Sequence, residues 1–379
     1  MDEQKMGGVK KWWVAGIVVI VLIIGAVLAT NNPSNNEIIK IGAILPLTGD
    51  FASYGEGFKN TIALAIENSG LKDRVQLIIE DDGSCAPNQD INATQKLVSI
   101  DKVKAIIGPI CSSAFLSVLP ITEKNKVVLI SYGATSKSIS GAGKYAFRVI
   151  SSDADKAIAI ANTAYNASYK KAALLYDSSN DQFIQQKDDA KGEYIKLGGQ
   201  IVADESFQTG NKDFRSQLTK IKNSGAEAIF LGVFPTTQGV LVLKQAKELG
   251  IKAQLISLTS ETGAPDFIKL AGNLTENLIF PYNVTPTNKE YTDFINSYKT
   301  KFGKESVTYA AESYDTAMLI IKGMAKSNGT PDDIKNEIYK LGQNYYGASG
   351  IINFKLNGDV DKPAIIQQII NGQPIRYSK

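Results

Sequence analysis

Short apolar runs alternate with longer amphipathic segments through the first half of the chain. Each run has the length and the β-branched content of a buried strand, and each segment between runs has apolar residues at helical spacing. Strand–helix alternation of this kind is typical of a parallel, doubly wound α/β sheet. Strands are predicted at 38–45, 75–80, 104–110, 127–131 and 145–149, and helices at 56–68, 88–100 and 114–125.

The same alternation begins again near residue 156 and predicts a second sheet. Its strands are predicted at 171–176, 200–206, 228–232, 254–258 and 278–281, and its helices at 156–166, 181–197, 214–224, 238–249 and 265–270. Three helices then follow, at 289–302, 309–327 and 331–340, and the tail resembles a hairpin of 351–354 with 363–370 around a turn at Asn357-Gly358-Asp359.

The late helices follow a second sheet that is already complete, so we expect them to pack on the first. The chain would then cross between two Rossmann-like lobes three times, near 150–155, 281–286 and 352–356, with a cleft between the lobes. The predicted fold is α/β, with two doubly wound lobes joined by a three-segment hinge. One lobe would contain 37–152 and 285–354, and the other 153–284 and 355–379.

The N-terminal 36 residues predict a membrane-targeting segment and a linker. Residues 12–29 are uncharged and mostly apolar, and Lys5, Lys10 and Lys11 precede them, which places the N-terminus in the cytoplasm. Val27-Leu28-Ala29 would suit cleavage of a signal peptide, whereas the length of the run favours an uncleaved transmembrane anchor. Either outcome puts the rest of the chain outside the cytoplasm, and we expect residues 12–29 to tether it to the cytoplasmic membrane.

Composition excludes several classes of function. The chain of 379 residues has a net charge of +3 without a basic block, so nucleic-acid binding is not expected. It has no histidine, which removes the commonest metal ligand and general base and makes a Ser-His-Asp triad impossible. Neither a G-x-S-x-G nor a phosphate-loop pattern occurs. We therefore predict no catalytic residues, no metal and no cofactor.

Two cysteines, Cys85 and Cys111, are the only ones in the sequence. A zinc site needs more ligands than two cysteines supply. In an exported protein they would form a disulfide, and in a cytosolic protein they would be two free thiols.

Two predicted strands of the first sheet end in small hydroxylated residues. One strand ends at Cys111-Ser112, and the next ends at Ser131 and leads to Thr135. Both ends lie at the carboxyl edge of a parallel sheet, where ligands bind, and a helix start there offers unpaired N–H groups to a carboxylate. One such end is explained by helix capping alone. Two at the same edge favour a binding site.

The order of short motifs resembles the substrate-binding proteins of branched-chain amino acid ABC transporters, the Leu/Ile/Val-binding family with the type I periplasmic-binding fold. The resemblance covers about 39–363. Its most specific part is the cysteine pair with its neighbours, and the weaker motifs agree in order. The motifs are Ile41-Gly42-Ala43-Ile44-Leu45-Pro46-Leu47-Thr48-Gly49 with Tyr54-Gly55, Asp81-Asp82-Gly83-Ser84-Cys85, Gly108-Pro109-Ile110-Cys111-Ser112-Ser113, Gly133-Ala134-Thr135, Asp213-Phe214, Lys244-Gln245-Ala246 and Tyr314-Asp315.

The resemblance implies a disulfide between Cys85 and Cys111 and a set of ligand residues. Hydroxyls and backbone groups of the first lobe would bind the carboxylate and amine of the solute, aromatic rings would form the walls, and an acid of the second lobe would pair with the ammonium. These residues are Ser112, Gly133, Ala134 and Thr135 for the polar groups, Tyr54, Tyr309 and Phe234 for the walls, and Glu261, one step from Ser260, for the acid. Asp181, with Phe183 nearby, replaces the aromatic usual after the strand at 171–176, and we expect it to assist Glu261 although acids also favour helix starts.

The function implied is binding of a small amino acid-like solute and its delivery to a membrane permease by a monomeric receptor. No covalent chemistry is expected. A sensory receptor acting on a separate signalling partner is the first alternative. An enzyme such as a two-lobed glycosyltransferase is the second, and it would need an acid pair for a metal or a nucleotide loop. The sequence does not identify the solute.

Overall fold

The computed structural model describes residues 37–49, 51–234, 236–283 and 286–378. Within these ranges the chain forms two large sheets with helices on both faces of each. We refer to each sheet with its helices as a lobe. None of the helices in the described ranges is long and apolar enough to cross a lipid bilayer. The predicted anchor at residues 12–29 lies outside the described residues.

The first lobe is built on a five-stranded parallel sheet with strand order β2-β1-β3-β4-β5. Strand β1 is buried along its whole length except at Lys40, as expected for a central strand covered on both faces. The strands are β1 (Ile39–Leu45), β2 (Val75–Asp81), β3 (Ala105–Ile107), β4 (Val128–Ser131) and β5 (Ala146–Arg148), and the first helices are α1 (Ala52–Asn68), α2 (Pro87–Ser99) and α3 (Ser112–Asn125).

The three late helices pack on this first sheet. Residues 317–321 of the second of them are buried in the same core as strands β1, β3 and β4. This placement supplies the layer that covers one face of the first sheet. The helices are α9 (Lys289–Phe302), α10 (Ala310–Lys326) and α11 (Pro331–Leu341).

The second lobe is built on a seven-stranded mixed sheet with strand order β14-β13-β10-β9-β8-β6-β7. Strands β6 to β10 are parallel, and the tail adds β13 and β14 antiparallel at one edge. The strands are β6 (Lys171–Asp177), β7 (Gln200–Phe207), β8 (Ala228–Gly232), β9 (Gln254–Ser257), β10 (Ile279–Asn283), β13 (Ala364–Ile370) and β14 (Gln373–Arg376). The helices are α4 (Asp153–Asn166), α5 (Asp181–Lys196), α6 (Arg215–Asn223), α7 (Thr237–Glu248) and α8 (Pro265–Ala271).

The chain passes between the lobes after β5, after β10 and before β13. The first and third crossings lie side by side. The Ser151 hydroxyl donates to the carbonyl of Lys362 at 2.8 Å, and the backbone N–H of Arg148 donates to the carbonyl of Gly358 at 3.0 Å. The first and third crossings are therefore tied to each other by hydrogen bonds.

The predicted tail hairpin is wrong. The first segment instead forms β12 (Gly350–Ile352), which pairs with β11 (Tyr345–Gly347) in the first lobe, and the second segment becomes β13, which pairs with β10. Pairing around the predicted turn is confined to a bridge between Phe354 and Val360, flanked by backbone hydrogen bonds from Lys355 to Asp359 and from Asp361 to Asn353. Spacing and turn residues identify strands but not their partners, and the isoleucines of β13 gain more burial beside β10 than beside a short solvent-exposed loop.

Candidate functional site

A disulfide joins two loops at the carboxyl edge of the first sheet. Cys85 follows β2 and Cys111 follows β3, and β1 lies between these strands. The loops bend toward each other so that the two Cα atoms are 5.8 Å apart and the sulfurs are bonded. Asp82 supports this bend, because its Oδ1 accepts the backbone N–H of Cys85 at 3.0 Å.

Asp81 anchors the loop that follows β1. Its Oδ1 accepts the backbone N–H groups of Leu47 at 2.8 Å and Thr48 at 3.1 Å, and its Oδ2 accepts the Thr48 hydroxyl at 2.5 Å. Burial alone would raise the pKa of Asp81, but these hydrogen bonds together lower it below the ordinary value. Ser84 completes the anchor by donating to the Thr48 carbonyl at 2.6 Å and accepting from the Phe51 N–H at 3.0 Å. The acid pair that follows β2 is therefore scaffolding for neighbouring loops.

Tyr54 lies in the first turn of α1, which begins at Ala52 rather than at residue 56 as predicted. Its side chain is 40 % exposed, and its ring centroid is 6.3 Å from that of Phe51. Gly55 permits the early start, because a Cβ there would lie 2.0 Å from the carbonyl oxygen of Pro46. The structure thus presents two partly exposed aromatic rings beside the carboxyl edge of β1.

The Ser131 hydroxyl organises the turn after β4. It donates to the Pro109 carbonyl at 2.7 Å and accepts the N–H groups of Gly133 at 3.3 Å and Ala134 at 2.9 Å. A Cβ at Gly133 would lie 2.3 Å from a carbon of Ile110, so only glycine fits there. The backbone N–H groups of Gly133 and Ala134, two of the backbone groups expected to contact a ligand, therefore already have an acceptor within the protein.

Thr135 and Ser112 both make hydrogen bonds within the protein. The Thr135 hydroxyl donates to Asp153 Oδ2 at 2.9 Å, and Ser112 Oγ accepts the backbone N–H of Ser136 at 3.1 Å. Asp153 is buried with the ammonium of Lys156 3.5 Å from its Oδ1. No helix starts at Thr135, contrary to expectation. A short 3₁₀ turn begins at Lys137 instead, and Ser136 caps it.

Arg148 is a fully buried cation beneath this turn, and sequence analysis missed it. It pairs with Asp359 at 2.7 Å, donates to the Ser136 carbonyl at 2.8 Å and the Ser140 hydroxyl at 2.8 Å, and lies 3.4 Å from the Ala134 carbonyl. Asp359 belongs to the predicted turn at 357–359, so that turn serves to place a carboxylate on Arg148. No sequence signal marked this pair, because its members are far apart in the chain.

Tyr309 lies where the two lobes meet. It caps the start of α10 with a φ of 64°, a left-handed conformation that is rare for a bulky residue and found most often at functional sites. Burial raises the pKa of Tyr309 well above its ordinary value, and the carboxylates of Glu261, Glu312 and Asp153 raise it further. The structure thus brings a second-lobe acid, a first-lobe ring and the partner of Thr135 into one neighbourhood.

Glu261 belongs to a short 3₁₀ helix, Ser260–Gly263, that follows β9. Its side chain is exposed and accepts a hydrogen bond from the Thr259 hydroxyl. Ser260, the neighbouring alternative in the sequence, is buried, and its hydroxyl has no hydrogen-bond partner among the described residues. The exposed carboxylate of Glu261 is the better placed of the two to meet a charged group in the cleft.

Asp181 is the first residue of α5 but does not cap it. The cap is Asn180, whose side-chain oxygen accepts the N–H of Gln182 at 2.9 Å, and Asp181 itself is exposed. Phe183 is buried two positions later, and its ring centroid is 4.7 Å from that of Phe234. Phe234 follows β8 and is 38 % exposed, so it presents one partly free aromatic face.

A buried charge cluster connects α10 to the third crossing. Asp315 accepts the backbone N–H groups of Ala348 at 2.8 Å and Ser349 at 2.7 Å, and Lys362 donates to the Ser349 hydroxyl at 2.6 Å. Burial lowers the pKa of Lys362 against the opposing charges of Glu312 and Asp315. Burial likewise raises the pKa of Asp315. These contacts tie α10 to the chain on either side of the third crossing, and the Tyr314-Asp315 motif was their only trace in the sequence.

A sequence profile of the periplasmic binding protein family matches residues 38–373, nearly the whole described chain. The chain belongs to the periplasmic binding protein family. This is a family of binding proteins and not of enzymes, and it places the chain outside the cytoplasm. The resemblance to the Leu/Ile/Val-binding proteins is thereby confirmed.

Individual relatives agree with this membership. A leucine-, isoleucine-, valine-, threonine- and alanine-binding protein of Pseudomonas aeruginosa is 27 % identical over 340 residues, 86 % of this chain and 87 % of that protein. The structure of a leucine-binding protein from Thermotoga maritima is 29 % identical with a TM-score of 0.75, covering 90 % of this chain and 98 % of that one. A solute-binding protein of R. palustris in complex with 4-hydroxybenzoate shares the fold, with a TM-score of 0.73 at 20 % identity over 90 % of this chain and 96 % of that one.

Proposed function

We propose that this periplasmic binding protein binds a small amino acid-like solute between its lobes and delivers it to the permease of an ABC transporter. The observation that carries the proposal is the meeting of groups from both lobes at Tyr309. Burial raises the pKa of this tyrosine, and the carboxylates of Glu261, from the second lobe, and of Asp153, the partner of Thr135, raise it further, which supports a common neighbourhood for the three side chains. A zwitterion needs an arrangement of this kind, with donors and an acid facing one space.

We infer different roles for the hydroxyls of Ser112 and Thr135 from the hydrogen bonds that each already makes within the protein. Ser112 uses its oxygen to accept from Ser136, so its proton is free to be donated to a solute carboxylate. Thr135 donates its proton to Asp153, so its oxygen is left as an acceptor for a solute ammonium. The amides of Gly133 and Ala134 are bound to Ser131, and the carbonyl of Gly133 is the group of this turn that we assign to the ammonium.

The aromatic residues supply walls for the rest of the solute. Tyr54 and Tyr309 approach from the first lobe, and Phe234, stacked on Phe183, approaches from the second. Asp181 lies at the start of the neighbouring helix α5 and would assist Glu261. Partly exposed rings of this kind gain from burial against an aliphatic or aromatic side chain. The relative that binds leucine, isoleucine and valine makes branched-chain amino acids the first candidates.

Solute binding would close the lobes about the hinge. We assign residues 37–152 and 285–354 to one lobe and 153–284 and 355–379 to the other, and residues 12–29 to an uncleaved membrane tether that follows from their length and apolar character. The receptor would act as a monomer that presents its closed form to the permease.

The substitution Glu261→Gln tests the assignment of the ammonium partner. We expect it to weaken binding of the amino acid by roughly 2–5 kcal/mol, because it leaves the ammonium unpaired in a closed cleft. The matching des-amino acid lacks that charge and should lose no affinity. Isothermal titration calorimetry with both ligands on both proteins measures the difference. Equal affinity of the two proteins for the amino acid would show that Glu261 is only a loop acid.

A further inference from the structure

An ion pair joins a loop of the first lobe to a helix of the second. Lys137 Nζ of the first lobe contacts Asp189 Oδ1 of the second, 52 residues away in sequence. Among the ion pairs within the described ranges, this is the only one that joins the loops and helices of one large sheet to those of the other, because Asp359, the partner of Arg148, lies in the segment before β13 and in neither sheet. Asp189 is largely buried, whereas the lysine side chain is half exposed.

Both partners stand on rigid elements. Lys137 begins the 3₁₀ turn that follows Ser136, and Ser136 is held by hydrogen bonds from its N–H to Ser112 and from Arg148 to its carbonyl. Asp189 lies in the middle of α5, whose inner face is packed into the second lobe. Because neither element is a mobile loop, the ion pair depends on how the lobes are placed relative to each other.

A small cavity adjoins the ion pair, and both Lys137 and Asp189 contribute to its lining. It has a volume of about 10 Å³, roughly the space for one water molecule, and its lining includes Ser136 of the first lobe and Asp153, Gln182 and Gln186 of the second. Gln186 is 1 % exposed, and neither its amide nitrogen nor its oxygen has a hydrogen-bond partner among the described residues. The second oxygen of Asp189 is buried without a partner as well. A water in this cavity would satisfy groups of both lobes at once.

We propose that Lys137, Asp189 and Gln186 form a latch that holds the lobes in the closed arrangement and so sets the affinity for the solute. Lys137 follows the turn that carries Thr135, and Asp189 lines the same small cavity as Asp153, so the latch adjoins the candidate site. Opening the lobes separates the ion pair and exposes the amide to solvent. The inference rests on the proposed function, because affinity depends on the population of the closed form.

The substitution Lys137→Met in the full chain tests the latch, with Lys191→Met as its matched control. Lys191 lies on the same helix as Asp189 and pairs with Asp204 at 2.7 Å, but both of these residues belong to the second lobe. We expect Lys137→Met to raise the Kd for the bound solute about two- to fivefold, since the lysine is half exposed, and Lys191→Met to leave it unchanged. Asp189→Asn should have the same effect as Lys137→Met, and the two should not add. The exchange of the two charges, Lys137→Asp with Asp189→Lys, should restore affinity.

Small-angle scattering without solute separates this inference from the proposed function. A broken latch should increase the radius of gyration of the ligand-free protein, and about 1 M salt should remove the difference from wild type. If the radius of gyration of Lys137→Met is larger than that of wild type, the latch is supported. If, in addition, neither protein binds any solute, the proposed function is overturned while the latch stands. Solute binding by wild type, with the Kd and radius of Lys137→Met equal to those of Lys191→Met, would overturn the latch alone.

Discussion

Replacing Arg148 with methionine should lower the free energy of unfolding by about 3–5 kcal/mol, because it leaves a buried carboxylate without its partner. Asp359 is buried against the guanidinium, and the carbonyl of Ser136 would lose its donor as well. The loss should appear in urea unfolding as a lower midpoint with an unchanged slope. Arg148 also holds the turn that carries Thr135, through its hydrogen bond to the Ser136 carbonyl. The variant protein that remains folded should therefore bind the solute more weakly than wild type.

A double substitution separates the charge effect from the loss of packing. Arg148→Met with Asp359→Leu removes both charges and should recover most of the stability, since a buried ion pair is often replaced by apolar residues at little cost. It should not recover affinity, because the loop carbonyls still lack a donor. A single variant Arg148→Met as stable as wild type would contradict the role assigned to this pair.

Replacing Asp90 with asparagine should stabilise the protein at neutral and alkaline pH. Asp90 lies on α2 and is fully buried, and neither carboxylate oxygen has a hydrogen-bond partner among the described residues. Burial, with a smaller effect from the nearby Asp82 carboxylate, raises the pKa of Asp90 to about 7 from an ordinary 3.8. An ionised carboxylate in this position is therefore costly to the folded state.

The raised pKa fixes the sign of the pH dependence. The folded state keeps its proton on Asp90 in the range from about pH 4 to 7, whereas the unfolded state has already lost it, so the contribution to stability is full below pH 4 and is lost as pH rises to 7. Above pH 7 the loss is complete and amounts to as much as about 4 kcal/mol. Asparagine cannot ionise. The difference in free energy of unfolding between Asp90→Asn and wild type should therefore move steadily in favour of Asp90→Asn as the pH rises from 4 to 7. Urea unfolding at several pH values measures this gain, and parallel pH profiles of the two proteins would contradict it.

The sequence predicted most of the secondary structure because the strands are buried on both faces. A continuous apolar run such as Ile39–Leu45 is typical of a strand that is buried on both faces, and its position in the sheet follows from that burial. The late helices were placed correctly on the first sheet because they follow the strands and helices of the second sheet in the sequence. The tail was predicted wrongly because the pairing of β12 and β13 depends on which edges remain free in three dimensions.

The candidate site, too, was predictable from the sequence only in part. Motifs marked the loops after β3 and β4 and the cysteines, which the structure joins in a disulfide. They did not reveal that Ser131 occupies the amides of Gly133 and Ala134, or that Asp153 takes the proton of Thr135. These contacts join residues from different strands and crossings, so no local pattern records them, and they decide which atoms remain free for a solute.

Thermal unfolding of residues 37–379 with a panel of amino acids, amides and small carboxylates tests the central claim most directly. We expect at least one amino acid, with branched-chain ones first, to raise the free energy of unfolding by roughly 2.7 kcal/mol at a concentration of 100 times its Kd. A panel in which no amino acid stabilises the protein at any concentration would contradict the account.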